Sequence, residues 1–119
     1  MKDMENELNN RLFSFAVRCL LFIRKLSDSV EYRVVKYQLA KSVTSAGANY
    51  EESQAGSSRA DFSNKVKISL REMRESNYWL RIIGAIDTGN TDNKELQWMV
   101  KESGELKNIL GSIVQKTRD

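Results

Sequence analysis

A chain of 119 residues with no proline and six glycines, 40% apolar and 29% charged, has the make-up of one helix-rich globular domain; a disordered or fibrous chain is excluded. The formal net charge of +3 is a mild basic tilt, compatible with a polyanionic partner only if the charge is clustered. No histidine is present, which excludes Ser-His-Asp triads, HExxH zinc sites and the ExxH di-iron motif of bundle enzymes.

The opening MKDMENELNN is acidic and polar where a signal peptide is apolar, and no apolar run is long enough to span a bilayer. A cytoplasmic protein with no membrane association is expected. A first helix is predicted over about residues 4–26. Leu8, Leu12, Phe15, Cys19, Phe22 and Leu26 alternate at spacings of four and three, which is one helical stripe. Phe13, Ala16, Val17, Leu20 and Ile23 widen that stripe. Arg11, Arg18 and Lys25 recur every seven residues and share another face. Cys19 is the single cysteine and reads as a small buried hydrophobe.

Ser27-Asp28-Ser29 is the first loop. Asp28 or Ser29 caps a second helix over about residues 30–55, with Glu31 at the capping-box distance from Asp28. Its stripe is Val35, Leu39, Ser42, Ala46 and Asn49, apolar first and small and polar later. Gly47 lies inside it at a cost of about 1 kcal/mol against alanine, which points to close approach by a neighbouring helix. Gly56 is a natural stop, and Ser58 caps a third helix over about 58–86, with Asp61 in its first turn.

So short a connection forces an antiparallel pair. A register about residue 57 sets Glu52 near Phe62, Asn49 near Lys65, and Ser42 near Glu72. The third helix has a core stripe of Phe62, Val66, Ser69, Met73, Ser76, Leu80 and Ile83. A second apolar line, Ile68, Trp79, Ile82 and Ile86, fits either a homo-oligomer interface or a wide stripe within one chain. Asp87 to Thr91 form the next loop. Thr91 or Asp92 caps a fourth helix over about 92–116, with Glu95 completing a capping box. Its stripe is Leu96, Met99, Ser103, Leu106, Leu110 and Ile113. The expected fold is all-α: an antiparallel up-down-up-down four-helix bundle, a single domain over 1–119.

Three constellations carry chemistry. Glu51, Glu52, Glu72 and Glu75 concentrate carboxylate, as a hard-cation or acid–base site needs; Lys41 and Lys65 nearby make structural ion pairing the simpler reading, and no metal or cofactor is expected. Ser42, Ser45, Asn49, Ser69, Ser76, Asn77 and Ser103, with Glu52 and Lys65, form a polar seam. It either holds a small ligand or fixes helix register through hydrogen bonds. Lys67, Arg71, Arg74 and Arg81 fall on one face of the third helix with Tyr78 among them. That pattern suits phosphate contact and base stacking, with Arg11 and Arg18 as a second basic line. The competing reading is a solvated charged face.

The hairpin SVTSAGANYEESQAGSSRADFSNKVKISLREMRESNYWL resembles the bacterial four-helix-bundle family of 23S rRNA intervening-sequence proteins. Ser42, Ala48-Asn49-Tyr50, Glu52, Ser58, Asp61-Phe62, Lys65, Ile68, Glu72, Glu75 and Tyr78-Trp79-Leu80 carry the resemblance. It implies a short antiparallel bundle assembled as a homopentamer and brings no catalytic residues. The related accessory variability determinant of diversity-generating retroelements, a basic pentamer, implies nucleic acid and a reverse transcriptase as partners. The expected function is therefore a non-enzymatic oligomeric bundle that binds RNA or DNA non-specifically through Lys67, Arg71, Arg74, Tyr78 and Arg81. The alternative is an adaptor that docks another protein through an aromatic face around Trp79 and Trp98.

Overall fold

The structure, a computed structural model, describes residues 2–55, 58–89 and 91–118, with side chains from residue 7 onward. Among these it has α1 (Lys2–Ile23), α2 (Val30–Gln54), α3 (Arg59–Ile86) and α4 (Asn93–Lys116), and no strand. α1 packs against α2 and α4, and α3 packs against the same two helices. Short loops make neighbours antiparallel, so the four form an up-down-up-down bundle with extents of 46 × 24 × 20 Å.

The core follows the expected stripes except at Asn49, Phe62 and Ile113, which are half-buried. Leu8, Leu12, Phe15, Cys19, Phe22 and Leu26 of the first segment are all buried. They meet Val35, Leu39 and Ala46 of α2, Val66, Met73 and Ile83 of α3, and Met99, Leu106 and Leu110 of α4. Tyr32, Val43, Tyr50, Leu70 and Val114 join them as buried residues outside those stripes. The widening expected on α1 is only partial. Ala16 and Ile23 pack on the core, whereas Phe13, Val17 and Leu20 are exposed. They lie on the side of α1 that no other helix covers.

Helix ends show which caps form. After Ile23 the chain tightens: the Lys25 N–H donates to the Phe22 carbonyl at 3.0 Å and Leu26 to Ile23 at 3.1 Å, both three residues back. Ser29 is the N-cap of α2, yet its hydroxyl makes no capping bond. Asp28 pairs instead with Lys36 at 3.7 Å, so the expected box with Glu31 does not form. Ser58 does cap α3, its Oγ accepting from the Asp61 N–H at 3.0 Å. Asp92 caps α4 by accepting from the Glu95 N–H at 3.1 Å. The Glu95 carboxylate turns to α1 rather than back to Asp92. In the α3–α4 loop, Asp87 accepts from the N–H groups of Gly89 and Thr91 at 3.1 and 3.2 Å. Gly89 has φ +98°, a conformation that favours glycine. The Thr91 side chain and these N–H groups hold the Asp87 carboxyl below its ordinary pKa. The expected stop at Gly56 and the pivot at residue 57 lie outside the described residues.

Two cross-helix hydroxyl contacts join α2 to α3. Ser69 Oγ donates to the Ala46 carbonyl at 2.7 Å, and the Ser42 and Ser76 Oγ atoms are 2.9 Å apart, all buried. Ser42 thus faces Ser76, one turn beyond the Glu72 expected from a pivot at 57. Gly47 marks the approach of α2 to α1: a Cβ there would lie 3.6 Å from the Leu12 Cβ.

Candidate nucleic-acid interface

The five residues expected to bind nucleic acid on α3 stand together on its exposed crest. Lys67, Arg71, Arg74, Tyr78 and Arg81 are all exposed. At 100° per residue they fall within a narrow arc opposite the core stripe. Lys67 and Arg74 make no ion pair among the described residues. Arg71 reaches Glu72 at 3.4 Å. The Arg81 Nε donates to Asn77 Oδ1 at 2.9 Å, and its guanidinium lies 5.7 Å from the centre of the Tyr78 ring. Tyr78 in turn meets Trp79 edge-on at 5.0 Å.

Arg11 and Arg18 are placed differently. Arg11 grips Glu102 with two hydrogen bonds, Nε to Oε2 at 3.0 Å and Nη2 to Oε1 at 2.7 Å, and reaches Glu105 at 3.1 Å. Arg18 grips Glu95 in the same two-bond manner, at 3.0 and 2.6 Å. These bonds push both guanidinium pKa values up. The two arginines therefore clasp α1 to α4, with their charge matched by carboxylates. Lys25, expected on the same line, is exposed beyond the end of α1.

This clasp sorts the charge of α4. Its acids Glu95, Glu102 and Glu105 all engage α1, whereas its bases Lys101, Lys107 and Lys116 line open grooves shared with α3. Two open grooves run along the α3–α4 seam. One, of about 730 Å³, is lined by Arg74, Lys107, Lys116 and Arg118, with Asn108 and Gln115 among its polar residues. The other, of about 400 Å³, is lined by Arg81 and Lys101 over Leu96, Val100 and Gly84, with Gln97 at its side. Among the described residues no carboxylate lines either groove. The groove at the α1–α4 seam, about 480 Å³, is mixed instead, holding Arg11 and Arg18 beside Glu7 and Glu102. Between the two basic grooves the helices are tied. Asn77 Nδ2 donates to Ser103 Oγ at 2.9 Å and to the Val100 carbonyl at 3.3 Å.

The polar seam expected around the hairpin resolves into separate pieces. Ser42 links helices through Ser76, as described above. Asn49 bonds back into its own helix, to the Ser45 carbonyl at 2.9 Å and to Ser45 Oγ at 3.1 Å. Glu52 is exposed and Lys65 half-buried; they form no ion pair with one another among the described residues. Glu51 and Glu75 are exposed as well, and no cluster of three metal-ligating side chains occurs among the described residues. Cys19 is fully buried with its Sγ 3.4 Å from the Met99 sulfur, and burial pushes its thiol pKa far up.

The second apolar line of α3 sits mostly inside the chain. Trp79, Ile82 and Ile86 pack half-buried against the core, and Ile68, three turns earlier on the helix, is half-buried as well. Trp98 is half-buried between Phe15, 6.5 Å away between ring centres, and the Arg18 guanidinium. The exposed apolar surface is elsewhere. Phe13, Val17, Leu20 and Leu21 on α1 and Val30, Val34 and Tyr37 on α2 face solvent, Phe13 at 64% and Val30 at 69% exposure. No helix among the described residues is long and apolar enough to cross a membrane.

Comparison with known proteins finds a family and solved structures of similar fold. A family model described as 23S rRNA-intervening sequence protein matches residues 4–112. A crystal structure from Bacteroides thetaiotaomicron VPI-5482 is described as a protein with unknown function from the S23 ribosomal protein family. It aligns with a TM-score of 0.78 and 32% identity, covering 90% of this chain and 97% of that one. No curated protein matches.

Proposed function

The chain belongs to the 23S rRNA-intervening sequence protein family, and on that premise we propose that it is a non-enzymatic helical bundle that binds RNA or DNA through the basic side of α3. The supporting observation is the sorting of charge. Carboxylates and arginines cancel across the α1–α4 seam, while Lys67, Arg74 and Arg81 stay exposed with no carboxylate paired to them among the described residues. Cations placed so attract phosphate and release condensed counterions when they bind it, a contribution that carries no sequence information. With about four phosphates neutralised, log affinity for a single strand falls with log salt at a slope of about −3. Fluorescence anisotropy of labelled RNA and DNA across a salt series reads that slope. No binding at low salt to either polymer would end this reading.

A non-enzymatic role is supported by the residues on hand. There is no histidine to act as a base, the thiol is buried, and the glutamates are dispersed. Self-association is the second part of the proposal, as the homopentamer implied by the resemblance. Seven large apolar residues left in water on α1 and α2, counted among the described residues, favour it. Their exposure supports a contact through Phe13, Val17, Leu20, Val30, Val34 and Tyr37, whereas the expected line Ile68, Trp79, Ile82 and Ile86 is half-buried. Light scattering tests it against the 13.7 kDa of one chain; a monomer at micromolar concentration removes it. Docking of another protein through Trp79 and Trp98 has less support, because both rings are half-buried.

A further inference from the structure

We infer that the α3–α4 seam is a track for one single strand of nucleic acid, held by Arg74, Lys107, Lys116 and Arg118, and that it discriminates against duplexes. The inference rests on the nucleic-acid reading above and moves its centre from the crest of α3 into the seam. Arg74 belongs to both places, since it stands on the crest and lines the larger groove.

Charge is the first argument. Together the two seam grooves are lined by Arg74, Arg81, Lys101, Lys107, Lys116 and Arg118, with no carboxylate among the described residues. The crest is less purely basic, since Arg71 shares its charge with Glu72. Shape is the second. Packed helix axes lie about 8–10 Å apart, so the seam is a concave slot one chain wide. A duplex carries its phosphates on a stiff convex cylinder and can rest on the crest but not enter the slot. A single strand is flexible and can follow it. From Lys101 to Lys116 the two grooves together span about 22 Å along α4 at 1.5 Å per residue, with the Asn77–Ser103 tie between them.

Its other residues suit bases and sugars. Asn108 and Gln115 in the larger groove and Gln97 in the smaller offer amide donors and acceptors. Beside the Asn77–Ser103 tie that separates the grooves, Tyr78 stands exposed with the Arg81 guanidinium near its ring. An exposed aromatic next to a cationic track is the arrangement on which bases of any identity stack.

The test is an anisotropy titration of the full-length chain against labelled oligonucleotides of about 15 residues, as RNA and as DNA, single-stranded and duplex, at about 50 mM salt. Single strands are expected to bind at least about tenfold tighter than duplexes of the same sequence. The double variant Lys107→Glu/Lys116→Glu is expected to remove that preference, and Lys107→Gln/Lys116→Gln to remove part of it. Thermal unfolding of each variant establishes that it folds. Equal affinity for single strands and duplexes would overturn the inference. So would a single-strand affinity that survives both seam variants but falls with Lys67→Glu/Arg71→Glu. Either result leaves nucleic-acid binding standing on the crest alone. No binding to any of the four probes would sink the seam and the wider function together.

Discussion

The guanidinium carbon of Arg18 lies 3.5 Å from the centre of the Trp98 ring, and the same guanidinium holds Glu95 through two hydrogen bonds. One side chain of α1 thus contacts two residues of α4 on one turn. Cation–π attraction contributes about 0.5–1 kcal/mol at a site this open. The ion pair adds less than its geometry suggests, because the Arg18 side chain is 42% exposed and water screens it.

Arg18→Ala is therefore expected to lower stability by about 1–2 kcal/mol in urea unfolding. It also uncovers the Trp98 ring, so its emission should shift to the red. Arg18→Lys keeps a charge but loses the planar two-bond grip, and should recover only part of the loss. If the alanine variant unfolds at the parental urea concentration, the clasp is ornamental.

Gly47 gives a prediction of opposite sign. A Cβ placed there meets the Leu12 Cβ at 3.6 Å and the Leu12 backbone at 3.8 Å, ordinary contact distances. Alanine fits where a larger side chain would push α1 and α2 apart. Gly47→Ala should raise stability by about 0.5–1 kcal/mol, the usual gain from replacing glycine within a helix. Gly47→Leu should lower it. The urea midpoints of the two variants decide the matter.

Ser42 and Ser76 face one another at 2.9 Å in the core, and each also lies near a carbonyl of its own helix: Leu39 at 3.2 Å and Glu72 at 2.9 Å. Each hydroxyl has one proton, so one donates across the interface and the other donates back along its helix. Removing either hydroxyl leaves the other with a carbonyl to bond. Ser42→Ala and Ser76→Ala should then each cost only about 1 kcal/mol, with coupling of about 0.5–1 kcal/mol in a double-mutant cycle. A single variant losing more than about 3 kcal/mol would mean that the hydroxyl left behind is orphaned.

Cys19 sets a pH dependence. Burial first, then the nearby Glu95, raises its thiol pKa above the ordinary 9.0, while the unfolded chain titrates near that value. Above about pH 9 the unfolded state has lost a proton that the folded state keeps. Stability should therefore fall with rising pH, by up to about 1.4 kcal/mol per unit from this group. Below the unfolded value the effect vanishes. Cys19→Ala should show a shallower decline than the parent at alkaline pH, which separates the thiol from the tyrosines and lysines. Near pH 8, thiol reagents should label the parent only as fast as it opens.

The helices and most of the core are legible as spacing in the sequence, because a stripe at three and four residues has one way to be buried. The exposed line Phe13, Val17 and Leu20 has the same periodicity as the buried one, and no local property of the sequence separates them. The clasp was legible in principle. Arg11 and Arg18 are seven apart, as are Glu95 and Glu102, and antiparallel helices bring the two pairs together in reverse order. Reading each helix alone hides that match and makes the arginines look available. The seam cations are hidden for a related reason: Lys107 and Lys116 form no single stripe on α4, and Arg118 lies past its end. They converge with Arg74 only when α3 is laid alongside.

The order in which the helices pack has a consequence for valence. Because the backbones of α1 and α3 do not approach closely, and neither do those of α2 and α4, the α1–α2 edge and the α3–α4 edge are opposite sides of the bundle. The apolar residues crowd the first, and the basic grooves run along the second. Copies joined through α1 and α2 would turn every basic groove outward. A strand long enough to reach two grooves then meets the second at an effective concentration set by the span between them, not by the bulk solution. Retention would depend on strand length more steeply than on the strength of any one contact.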